Sequence, residues 1–188
     1  MDYTKIEASQ VWGEEIGRLY LNASPFITTA ARLAYESMAE QVEIQYRTMV
    51  ERHGMRVIFQ EEDPYDTWGD MVQDIVENKT LRVYHTSVDQ AHPLLGVHMN
   101  DMFRAVHDYY GHYGAGNGHP VSFSRHGEEA AWVRHSQMFA GTGRRAMTTE
   151  TRGQNSAFIW INGGKVFPAQ KAILLPDWVA RIPEQYYR

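Results

Sequence analysis

Apolar positions recur at helical spacing over most of this chain. Ile6, Trp12, Ile16, Leu19 and Tyr20 make residues 6–21 weakly amphipathic. Ser24-Pro25 reads as an N-cap with Pro at the first helical position. From Pro25 to His53, the positions Ala31, Ala34, Tyr35, Met38, Val42, Ile44/Gln45 and Met49 predict a long helix closed by Gly54. A further periodic stretch runs from His98 to His112, with Met102, Val106, Tyr109 and Tyr113 on its apolar stripe. The glycines from Gly111 to Gly118 end it. Helices are also predicted over Trp68 to Asn78, from about Gly127 to Phe139, and from about Thr142 to Thr151.

Short β-rich runs interrupt the helical pattern. MRVIF (55–59) and LRVYHTS (81–87) read as strands, the second with Leu81, Val83 and His85 on one face. AFIWINGGKVF reads as a β-hairpin around Asn162-Gly163-Gly164. The expected fold class is α+β: a mainly helical single domain, residues 1–188, with a small antiparallel sheet or hairpin. An N-terminal helical region covers about 1–54, and a motif-bearing core about 81–176.

Composition narrows the function classes. A length of 188 residues supports one core. A net charge of −5 disfavours general nucleic-acid binding, which rests on Lys and Arg at phosphates. The absence of cysteine excludes disulfides, thiolate ligands and a Cys nucleophile. The start, MDYTKIEASQVWGEE, has neither the basic nor the apolar region of a signal peptide, and no run predicts a membrane span. A cytoplasmic location is expected. Histidine is the anomaly: eight of the nine lie between His85 and His135, a density that suits metal binding or proton transfer.

Three stretches carry candidate chemistry. In FRAVHDYYGHYGAGNG, Asp108 and His112 are four apart, so an α-helix puts them on one face with Asp101. His107 points a quarter turn away, with Asn100 and Arg104. In RHGEEAAWVRHSQMF, Glu128 and His135 are seven apart and share a face, while Glu129 lies off it toward solvent. In MTTETRGQNS, Glu150, Arg152, Gln154 and Asn155 crowd a helix end and turn. The expected metal ligands are His107, Asp108, His112 and His135. Glu128, Glu150 and His107 are candidates for catalysis. Arg104, Arg152, Gln154 and Asn155 are candidates for binding substrate, since planar multi-donor groups suit phosphate, carboxylate or base edges. Mixed His and carboxylate donors suit Zn, Fe or Mn as a divalent ion. Gly114-x-Gly116-x-Gly118 follows a helix, the wrong context for a dinucleotide loop, and reads as a turn.

The runs HPLLGVHMNDMFRAVHDYYGH, FSRHGEEAAWVRHSQMF and RRAMTTETRGQNSA resemble a family of tailed-phage and prophage proteins. They are also similar to a module in multidomain proteins of mobile elements. The resemblance spans about Tyr35 through the LLP at 174–176. It implies a viral origin and action in the host cytoplasm, and carries no catalytic assignment. A looser similarity, through His107-Asp108 in AVHDYYGH, is to HD-type phosphohydrolases. The glycine sits three residues after Asp108 where that pattern has it two after, and Glu150 would have to replace the final Asp.

Three readings stand side by side. The first is a metal-dependent hydrolase acting on a small-molecule, nucleotide or other phosphate-bearing substrate. The second is a helical di-metal oxidative enzyme. The third is a non-enzymatic protein that binds a host protein, with the polar cluster as a structural network.

Overall fold

The structure, a computed structural model, describes residues 1–116 and 118–187. Helix α1 (Gln10–Asn22) is capped by Ser9, whose side chain accepts from Trp12 N–H. Helix α2 (Thr29–Arg47) is capped by Thr28, which accepts from Ala31 N–H, and continues through a π-helical turn over Thr48–Arg52. Ser24 caps no helix. Its hydroxyl takes the nearby Phe26 N–H, the chain stays non-helical, and α2 waits for the next capping residue.

Strand β1 (Arg56–Gln60), helix α3 (Trp68–Asn78) and strand β2 (Thr80–Tyr84) follow. The start of α3 is set by a capping box between Thr67 and Asp70. The strands pair in parallel, with Arg56 opposite Thr80 and Gln60 opposite Tyr84. The expected antiparallel sheet is thus corrected. A helix lies between the strands, and a helical crossover returns the chain in the same direction, where a tight turn would reverse it. On β2, Leu81 and Val83 are buried, while the His85 side chain is exposed beyond the strand end.

Helix α4 (Gly96–Val106) runs into a second π-helical turn, His107–His112. Helix α5 (Arg125–Ser136) begins at Ser124, which caps Gly127 N–H. Helix α6 (Gly141–Thr148) continues without a break through a π turn over Thr149–Gly153, an α turn over Gln154–Ser156 and a π turn over Ala157–Ile161. Two expectations change here. ETRGQN is the middle of a helix, not its end. AFIWI is helical, not the first arm of a hairpin. An unbroken apolar run does not distinguish a buried strand from a buried helix. Here Ala157 packs with Ile16 and Tyr20 of α1, and the turn at Gly163 and Gly164 comes after the helix.

The main core runs from Tyr3 to Tyr186 and centres on α2, α4, α5 and the start of α6, with Met38, Met49, Val106, Trp132 and Met147 fully buried. Among the described residues no helix is long and apolar enough to cross a membrane.

Candidate metal centre

The π turn after α4 sets the first half of the site. In π-helical backbone the hydrogen bonds reach five residues back, as from Tyr113 N–H to Asp108 O at 2.8 Å. Residues five apart therefore stack. The His107 and His112 rings meet edge to face, with centroids 5.2 Å apart. Helix α5 faces them in the opposite direction. Glu128 Oε2 lies 3.5 Å from His112 Nε2, and His135 Nδ1 lies 3.1 Å from His107 Nδ1. Asp101, expected beside Asp108, instead accepts from Thr86 N–H at 2.9 Å and pairs with His85 at 2.6 Å.

Glycines permit this close approach. A Cβ on Gly127 would lie 1.8 Å from Ser122 O, and one on Gly111 would lie 3.2 Å from both Ala131 O and the His107 ring. Arg134 fixes the loop between the two segments by donating to Gly111 O at 2.8 Å and His119 O at 2.6 Å. Gly114, with φ +75°, leaves room for that guanidinium: a Cβ there would sit 2.2 Å from Nη1. Gly111 and Gly114 of the glycine-rich stretch thus serve packing.

His107, His112 and Glu128 each offer a ligand atom within 4.8 Å of the others, a group able to hold a metal ion. Tetrahedral ligation with bonds of about 2.0–2.1 Å sets ligand atoms roughly 3.4 Å apart. The His112–Glu128 separation of 3.5 Å already fits that edge. Each of the three side chains also has a further polar contact, of the kind that orients metal ligands. His112 Nδ1 faces Val121 O at 3.4 Å, Glu128 Oε2 accepts from Asn155 Nδ2 at 2.6 Å, and His107 Nδ1 meets His135. That leaves His107 Nε2, which is buried with no hydrogen-bond partner among the described residues.

Burial dominates the electrostatics. It pushes the His107 imidazole well below its usual range, with His112 and His135 adding repulsion. Burial also lowers His135, to about 3. For His112, burial opposes the charge, but the Glu128 carboxylate and then Asp108 outweigh it, and the net shift is upward. Burial raises Asp108 to about 6, with Glu128 adding to the rise and His112 and Arg104 opposing it.

The centre opens into a cavity of about 1060 Å³. His107, Asp108, His112, Glu128, Glu150, Arg104, Gln154 and Asn155 all line it. Two sequence-predicted residues do not. His135 sits behind His107, with its two ring nitrogens taken by His107 and Gln45. Arg152 is committed elsewhere: its Nε and Nη2 donate to Glu129 at 3.0 and 2.5 Å, its Nη1 to Val179 O at 2.7 Å, and its guanidinium lies over the Trp132 ring. Glu129, expected in solvent, is buried as its partner in that pair. An unbroken α6 turns Arg152 toward α5 and away from the cavity.

Glu150 sits in a polar cluster that sequence reasoning missed. Tyr35 Oη donates to its carboxylate, and His92 Nε2 lies 3.3 Å from the same oxygen. His92 Nδ1 accepts from Leu94 and Leu95 N–H, so the ring's N–H is on Nε2, the side facing Glu150. Nothing in the spacing of Tyr35 and His92 signals this meeting. Gln45 did leave a signal: a polar residue at a core-facing position of α2, buried where its neighbour Ile44 is 61% exposed. No protein-family model matches the chain, and no curated protein or solved structure is significantly similar to it.

Proposed function

We propose that this chain is a metal-dependent hydrolase with one divalent ion held by His107, His112 and Glu128. The observation that carries the reading is His107 Nε2, a buried nitrogen without a partner among the described residues, beside two further ligand atoms at a large cavity. An unmade hydrogen bond of that kind costs about 1–3 kcal/mol, which coordination to an ion would offset. Two His and one carboxylate match the three-ligand sets of catalytic zinc, in which the fourth position takes water. Zn is the first candidate, with Fe and Mn compatible with the same donors. When bound, the ion supplies a water acidified toward neutral pH and a Lewis acid for the scissile group.

The remaining residues take the other tasks. Asp108 and Glu150 are the carboxyl groups left on the inner wall for proton transfer. Arg104, with its guanidinium 5.6 Å from the Tyr84 ring centroid, is the cation placed to bind an anionic group. Phe103, Phe123 and Phe158 offer apolar surface, and Gln154 and Gln170 offer amide groups, as a nucleotide or similar phosphate-bearing substrate requires. The resemblance to phage proteins supports a substrate met in a host cytoplasm.

Charge makes the reading testable. Among the described residues, Asp63, Asp89, Asp108, Glu128 and Glu150 line the cavity, and Arg104 is its one Lys or Arg side chain. An anionic substrate therefore needs the ion to enter. Purified protein should carry one divalent ion per chain by elemental analysis, and nucleotide binding or hydrolysis should vanish with chelator and return with Zn or Mn. Protein that stays metal-free and takes up neither ion in titration would sink the proposal.

A further inference from the structure

We infer that Gln45 and His135 form a positioning relay that fixes His107 with its proton on Nδ1, leaving the Nε2 lone pair free toward a ligand. The purpose of the relay rests on the metal-centre reading, but its geometry does not. The argument starts at a backbone carbonyl. Met138 O can only accept, and Gln45 Nε2 lies 3.5 Å from it, so the amide of Gln45 is oriented with its nitrogen there. Gln45 Oε1 is then the atom that faces His135 Nε2 at 2.7 Å. An amide oxygen only accepts, so His135 Nε2 carries a proton and donates it.

The second nitrogen of His135 follows from burial. The ring is 0% exposed and packs among Phe103, Tyr110 and Phe139. Among the described residues no carboxylate pairs with it. A second proton would make a buried, unpaired cation, which is costly. His135 Nδ1 is therefore bare and accepts. Its neighbour at 3.1 Å, His107 Nδ1, must donate. A neutral imidazole has one N–H, so His107 Nε2 is bare, and it is the atom that finds no partner among the described residues. The relay reaches back to α2, where Tyr110 Oη donates to Gln45 O at 3.2 Å and pins the residue that begins it.

The test reads the proton directly. In the full metal-free chain labelled with ¹⁵N-histidine, two-bond ¹⁵N–¹H correlations should show His107 protonated on Nδ1 and His135 on Nε2. A proton on His107 Nε2 overturns the relay and needs no variant. Gln45→Leu removes the acceptor. It should disturb the His135 tautomer and weaken Co(II) binding, followed by its visible absorption, by about 10–100-fold. If a folded Gln45→Leu protein keeps both the tautomer and the Co(II) affinity, the relay is wrong and the metal centre stands. If both tautomers are as expected but wild-type protein binds no Co(II), the relay is supported and the metal-centre reading falls.

Discussion

His107 and His112 are five residues apart, yet their rings meet at 5.2 Å because the helix between them is π-helical. Their shared face meets Glu128 across the interface with α5. Replacing His107, His112 or Glu128 by Ala should each weaken Zn(II) or Co(II) binding by more than about 100-fold, beyond the cost of losing a residue that only orients a ligand. Asn155→Ala removes the donor behind Glu128 and should cost about 10–100-fold. Competition with a chromophoric chelator gives the constants. Equal affinity across all four variants would remove these residues from the centre.

Acid should unfold this protein through its buried neutral histidines. An unfolded histidine protonates near 6.5, whereas His135 stays neutral to about 3. Between those values the unfolded state binds more protons, so stability is present above 6.5 and is lost as pH falls toward 3. His107 acts in the same direction. Asp108, raised from 3.8 to about 6, acts in the opposite one: its contribution is full below 3.8 and is lost as pH rises through 6. His135→Leu isolates one of these groups. In metal-free urea titrations its stability should fall less steeply than wild type below pH 6.5, by about 1.4 kcal/mol per pH unit. Parallel pH curves for the two proteins would refute this.

The Arg152–Glu129 pair should prove structural. Removing one partner leaves a buried charge alone, so Arg152→Met should cost about 3–5 kcal/mol in chemical denaturation. Replacing both by Met should cost less than Arg152→Met alone. A stable Arg152→Met protein with impaired substrate binding would return Arg152 to the list of substrate residues.

Gly127 couples packing to the site. A methyl group there meets Ser122 O, a backbone atom that cannot swing aside. Gly127→Ala should push the start of α5 outward, destabilise the fold by about 1–3 kcal/mol and weaken metal binding by moving Glu128. Gly54→Ala is the control: it has open space, and only the φ of +69° to strain it. Metal affinity should be unchanged in Gly54→Ala and reduced in Gly127→Ala.

Much of the frame was legible along the chain. The three-to-four periodicity of Ala34, Met38 and Val42 marks the buried stripe of α2, and the spacing of Glu128 and His135 places them on one face of α5. The strand positions were legible too, and the helix predicted between them carried the signal for a parallel pair, which the antiparallel expectation overlooked. Arg152 looked like a substrate residue because a sequence shows a guanidinium but not its carboxylate partner 23 positions away.

By itself the sequence determined most of the helical segments, though not the one through AFIWI, that no cysteine enters the chemistry, and where histidines and carboxylates are densest. Tertiary structure alone decided how they combine. Periodicity assumes a uniform helix, and on that assumption Asp108 and His112 are the pair. One π turn changes the repeat locally and makes the pair His107 and His112. Its hydrogen bonds differ from those of an α-helix by one residue of register, too small a difference for local propensity to encode. Packing against α5 fits that register, and brings Gln45 to His135 and Asn155 to Glu128 from helices far away in sequence.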